Sequence, residues 1–210
     1  MRKNLIARAA LVACLLLLCL TAGIAGGIDF APDVRLIRQL QLIRADAPGV
    51  TIAAIAVTHA GSVFGTAGGG IGVAAWLAWR GQRWLAAVLV ATVIGERLVV
   101  DGMKYLIDRT RPSVDLHPVA THSSSFPSGH AGNSMAVFLS IALIAAPPAY
   151  RVSAVIAAVL ASLLVGITRP YLGVHWPSDV IGGWSLGAAI AIVAWSIAER
   201  RNSAPAQQQH

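Results

Sequence analysis

Six apolar runs, each near the length of a membrane helix, leave this 210-residue chain few ways to fold. They cover 5–28, 50–79, 84–100, a stretch from 131 to Pro147, 152–167 and 179–198. A bilayer-spanning helix needs about 20 apolar residues. Charged residues are only 12% of the chain, about half the share of a soluble domain. The expected fold is therefore all-α: a six-helix transmembrane bundle forming one domain over residues 1–201. Residues 202–210 read as a polar, disordered cytoplasmic tail. Arg2 and Lys3 precede the first run and small residues follow it near Ala25. A cleaved signal peptide would share those features, but about twenty apolar residues favour an uncleaved helix.

The segment 30–48 lies between the first two runs. At helical spacing, Leu36, Ile37, Leu40 and Ile43 share a face opposite Arg35, Arg38 and Gln39. This pattern predicts an interfacial amphipathic helix after the first span. It would serve as a lid over a headgroup or simply pack on the bundle.

The formal charge of +7 would suggest nucleic acid in a soluble protein, but the basic residues sit mostly at the ends of apolar runs. With a cytoplasmic amino terminus, Arg2, Lys3, Arg8, Arg80, Arg83, Arg151, Arg200 and Arg201 share the cytoplasmic side. They are eight of the sixteen Lys and Arg residues. Positive-inside topology expects that bias. No nucleic-acid partner is expected, and no obligate protein partner is evident. Cys14 and Cys19 lie five apart in the first run, so neither a disulfide nor a metal site is expected.

The remaining side carries the chemistry. Lys104, Arg111 and Arg169 supply cations at span ends, where charge is costly unless paired or used. Guanidinium forks and an ammonium suit the oxygens of a phosphoryl group. Pro127-Ser128-Gly129 reads as a turn into a helix whose free N–H groups favour an anion. His175 and Asp179 are four apart, so the carboxylate can fix one imidazole nitrogen and leave the other to attack. His130 adjoins the anion turn and is placed to protonate a leaving oxygen. His59, His117 and His122 read as packed or surface histidines. Glu96 and Arg97 read as a pair within the bundle, and Asp101, Asp108 and Arg109 as neighbours that tune Lys104.

Three segments carry a resemblance. Lys104, six residues and Arg111-Pro112 form the first. Pro127-Ser128-Gly129-His130 is the second, and Thr168-Arg169, five residues, His175, three residues and Asp179 form the third. In order and spacing they resemble the signature motifs of the type 2 phosphatidic acid phosphatase superfamily. The one departure is Thr168, where the family has Ser. The resemblance implies a membrane lipid phosphatase, similar to bacterial undecaprenyl-pyrophosphate phosphatases. It implies His175 as nucleophile, Asp179 as its orienting partner and His130 as acid. Lys104, Arg111, Ser128, Gly129 and Arg169 would hold phosphate, with no metal or cofactor.

Undecaprenyl pyrophosphate is the favoured substrate by this analogy, with phosphatidylglycerophosphate or phosphatidate next. A lipid phosphotransferase shares the first half-reaction. A vanadium haloperoxidase has a similar site but is soluble, and a non-enzymatic carrier would not need the full residue set. The expected location is the bacterial inner membrane, multi-pass, with the site on the periplasmic or extracellular face.

Overall fold

The computed structural model describes residues 2–25, 27, 30–113, 118–119 and 123–202, with the backbone alone at 2–11, 13, 201 and 202. His117, His122 and the 203–210 tail lie outside the described residues. Among those described, the chain forms eight helices and no strand. They are α1 (Arg2–Ala25), α2 (Ala31–Ala45), α3 (Pro48–Ala60), α4 (Val63–Trp79), α5 (Arg83–Ile107), α6 (Gly129–Ile144), α7 (Arg151–Tyr171) and α8 (Pro177–Asn202).

One expectation is corrected at once. The apolar run 50–79 is two helices, α3 and α4. Hydropathy dips at the break, over Thr58 to Ser62, and local chemistry changes with it. Ser62 caps α4, its hydroxyl accepting from Gly65 N–H at 3.1 Å. Gly61 packs where a Cβ would lie 2.3 Å from Val165 Cγ1 and 3.0 Å from the His130 carbonyl oxygen. The break thus seats the chain against the start of α6.

α6 is the central helix, packed against α4, α5, α7 and α8. Small residues allow its close approach to α8. A Cβ on Gly183 would lie 2.5 Å from the Ser128 carbonyl oxygen, and one on Gly187 2.5 Å from that of Gly132. Spaced four apart on α8, they form the small-residue seam typical of membrane helices. Hydroxyls add polar glue on the other side of α6: Ser134 and Ser162 Oγ are 2.8 Å apart, and Trp184 Nε1 donates to Ser162 O at 3.1 Å.

Apolar side chains also face outward. Leu160, Leu164 and Ile167 of α7 are exposed, as are Leu15, Leu16 and Leu18 of α1. Such a surface suits hydrocarbon rather than water. By length and composition, α7 and α8 can each cross a bilayer. Cys14 and Cys19 are free and exposed on α1.

The 30–48 segment is helical as α2, but its apolar face is only partly used. Ile37 is buried, whereas Leu36 and Ile43 are exposed. α2 packs on α7, α3 and α8. Arg44 Nη1 donates to Leu172 O at 3.0 Å. The Glu96–Arg97 pair is not formed. Arg97 pairs with Asp101 at 2.7 Å. Glu96 points to α6, where the Asn133 amide, with its nitrogen turned to the carboxylate, donates at 2.9 Å.

Candidate active site

The C-terminal ends of α5 and α7 and the N-terminal ends of α6 and α8 meet at one end of the bundle. α5 overshoots its expected limit and carries Lys104 in its last turn. Lys104 is buried, its Nζ donating to Ser124 O at 2.5 Å while Ser124 Oγ donates to Lys104 O at 2.7 Å. This exchange ties the loop before α6 to the end of α5.

α7 ends in a Schellman cap. Gly173 takes φ of +73°, Val174 N–H bonds Arg169 O at 3.2 Å, and Gly173 N–H bonds Pro170 O at 2.9 Å. The turn throws His175 inward, where it is buried. α8 then starts with Pro177 in its first turn, where a missing N–H costs little. Asp179, buried, reaches back to accept Trp176 N–H at 2.9 Å, the same reach-back that closes a capping box.

That cap sets the histidine–carboxylate pair. His175 Nδ1 lies 3.4 Å from Asp179 Oδ2. Its Nε2 lies 3.2 Å from Arg111 Nη1. A guanidinium can only donate, so Nε2 must present its lone pair and the ring proton belongs on Nδ1, facing the carboxylate. Arg111 is held by Ser123 O at 2.8 Å and Val174 O at 2.5 Å. Burial lowers the His175 pKa well below the ordinary imidazole value, helped by Arg169, Arg111 and Lys104 and opposed by the Ser125 backbone. The ring is therefore neutral at neutral pH. Burial also lowers the Arg111 pKa, with Asp179 opposing.

Ser128 is the N-cap of α6 and Gly129 its first residue. Ser128 N–H donates to Asp179 O at 3.0 Å, joining the two helix starts. Its hydroxyl is buried with no partner among the described residues, and so is Arg169 Nε. Arg169 Nη1 donates to Thr58 Oγ1 at 2.8 Å. His130, half-buried in the first turn of α6, shares the field of Arg169, Arg111 and His175. The structure thus gathers all eight sequence-predicted site residues at one end of the bundle. Thr168, the departure from the motif, turns its hydroxyl back to Val165 O at 2.6 Å. Among the described residues no group of three or more His, Cys, Asp or Glu side chains could hold a metal ion.

Sequence reasoning missed a further layer. Arg109 does not serve Lys104. Its Nη1 donates to Asp179 Oδ1 at 2.5 Å and to Ser178 Oγ at 2.8 Å, and its Nη2 donates to Asp33 Oδ2 at 3.0 Å. Asp33, in the first turn of α2, also accepts Ser178 N–H at 3.0 Å and the Ser178 hydroxyl.

Comparison with known proteins agrees with this geometry. The sequence pattern described as PAP2 superfamily matches residues 83–203. Phosphatidylglycerophosphatase B of Bacillus subtilis (strain 168) is 40% identical over 113 residues, half of this chain and 54% of that protein. Lipid A 1-phosphatase of Rhizobium johnstonii is 35% identical over 119 residues, 52% of this chain and 46% of that protein. Undecaprenyl-diphosphatase of Sulfolobus acidocaldarius is 32% identical over 128 residues, 58% of this chain and 59% of that protein. The chain thus spans about half the length of the curated relatives it matches. A crystal structure of a transmembrane PAP2-type phosphatidylglycerolphosphate phosphatase from Bacillus subtilis superposes with a TM-score of 0.81 at 28% identity. It covers 91% of this chain and 96% of its own, so the helical membrane-protein fold is shared almost end to end.

Proposed function

This chain belongs to the PAP2 superfamily, and on that premise we propose a membrane phosphatase that hydrolyses a lipid phosphate or pyrophosphate through a phosphohistidine on His175. The observation that carries the reading is the His175 ring, with Nδ1 toward Asp179 and Nε2 presented beside Arg111. Nε2 attacks phosphorus as the bond to the leaving oxygen breaks, and His130 gives that oxygen a proton. Water then attacks the phosphohistidine, losing its proton to His130, and inorganic phosphate departs. Lys104, Arg111, Arg169, Ser128 Oγ and the Gly129 N–H surround the phosphoryl oxygens. They stabilise the charge that builds there in the transition state. Three cationic side chains fill the role a divalent ion plays in other phosphatases.

Six spans follow if α1, α4, α5, α6, α7 and α8 each cross the bilayer, with α2 at the interface, α3 beside the site and residues 1–201 as a single phosphatase domain. The site then faces the periplasm or exterior of the inner membrane. Undecaprenyl pyrophosphate is the substrate favoured by family analogy. The near-complete structural likeness to a phosphatidylglycerolphosphate phosphatase puts that lipid beside it as the first to test.

The experiment measures phosphate release from undecaprenyl pyrophosphate, phosphatidylglycerophosphate and phosphatidate by purified protein in excess EDTA. One lipid should be turned over at an undiminished rate. His175→Ala should form no phosphoenzyme and lose activity by at least about a thousandfold. Loss of wild-type activity in EDTA would sink the metal-free mechanism, and a full-rate His175→Ala would dismiss the nucleophile.

A further inference from the structure

Asp179 is fully buried and has two oxygens to satisfy. Oδ2 serves the Trp176 N–H and His175 Nδ1, and Oδ1 takes Arg109 Nη1 at 2.5 Å. Arg109 is therefore the guanidinium that decides how the carboxylate is turned. It is itself clamped. Its guanidinium carbon lies 5.7 Å from the Phe30 ring centroid and 5.6 Å from that of Trp176. Its second nitrogen is taken by Asp33 at 3.0 Å.

The charges need one another. Asp33 and Asp179 are two buried carboxylates joined through a single guanidinium. Two like charges at close range cannot both stay ionised without a cation between them. Arg suits this bridge because its two Nη atoms reach different carboxylates at once, which an ammonium on a flexible stem does poorly. Asp33 also accepts the Ser178 N–H at the start of α8, so it fixes the helix that carries Asp179 as well as the cation that holds it. Asp33 stands on α2, outside the 83–203 stretch that matches the family.

We propose that Arg109 and Asp33 are positioning residues for the His175–Asp179 pair. Asp33 of α2 aims Arg109, and Arg109 turns Asp179 so that Oδ2 faces His175. α2 is on this account part of the reaction machinery, in addition to any role as a cover. The inference rests on His175 being the nucleophile.

The test is a double-mutant cycle on full-length protein in detergent. It uses whichever of the three lipids above the wild type turns over fastest. Asp33→Asn puts an amide against the guanidinium, and Arg109→Gln removes the bridge. Each should lower kcat by about tenfold or more with KM within about threefold, as expected for a misaligned nucleophile. The double variant should be little worse than Arg109→Gln alone, because Asp33 acts through Arg109. Arg109→Lys should restore part of the loss.

Inorganic phosphate should raise the Tm of wild type and of every variant alike, since the cations proposed to hold phosphate are untouched. If Arg109→Gln loses that response, Arg109→Lys takes its place in the cycle. Wild-type kcat in Asp33→Asn, fully multiplying losses in the double variant, or a loss confined to KM would each overturn the proposal. His175→Ala is run beside them. If it is active, the nucleophile assignment is wrong. If it is inactive while Asp33→Asn runs at full rate, only the positioning role fails.

Discussion

Ser128 Oγ is buried without a hydrogen-bond partner among the described residues, at the N-terminus of the central helix. An unsatisfied buried hydroxyl costs about 1–3 kcal/mol, a cost that makes sense if the group is held for a ligand. Ser128→Ala should therefore leave the Tm in detergent unchanged or raise it slightly, while kcat falls about tenfold or more. A Tm several degrees lower with kcat intact would make Ser128 a structural residue instead. The motif residues were legible because their spacing is short and their chemistry is shared: His175 and Asp179 are one helical turn apart, and Ser128 adjoins His130. Arg109 and Asp33 were not legible. Their partners lie 70 and 145 positions away, and nothing local distinguishes Arg109 from an interfacial anchor. Thr58 under Arg169 was invisible for the same reason.

At the scale of helices, the site depends on how near α8 comes to α6. Gly183 faces the Ser128 carbonyl and Ala131 Cβ, where an added Cβ would lie 2.5 and 3.0 Å away. Backbone cannot yield as a flexible side chain does, so the helices must part. Gly183→Ala should destabilise by about 1–3 kcal/mol and also lower kcat, since the parted surface carries the Ser128-Gly129 turn proposed to hold phosphate. Gly68→Ala on α4 has nothing within 4 Å of its added Cβ and should be neutral or stabilise by about 0.5–1 kcal/mol. Thermal unfolding of both variants in detergent checks the contrast, and equal losses would mean that the α6–α8 seam is not specially tight. Helix identity was readable from hydropathy, but helix limits were not. The 50–79 run holds a break that the short polar stretch Thr58 to Ser62 announces. α5 runs on to Ile107 and α7 to Tyr171, past their apolar stretches, so the helices themselves carry Lys104 and Arg169.

The whole molecule sorts its chemistry to one end and much of its free positive charge to the other. Lys104, Arg111, Ser128, Arg169 and His175 meet where the α5–α6 loop and the α7–α8 turn lie side by side. The turns at Arg80 to Arg83 and before Arg151 lie at the opposite ends of those helices. Basic residues stay on the cytoplasmic side because moving them across a membrane during insertion is costly. On the proposed function the reactive end is expected on the outer side, and the released phosphate would leave to the exterior. Site-specific labelling tests this in cells. Exposed Cys14 and Cys19 are first replaced by Ala, and single cysteines are placed at exposed Ser113, beside Arg111-Pro112, and exposed Gln82, in the opposite turn. A membrane-impermeant maleimide applied to intact cells with a permeable outer envelope should label Ser113→Cys at once. It should label Gln82→Cys only after the inner membrane is opened. The reverse order would put the site on the cytoplasmic side and overturn the outward orientation proposed for it.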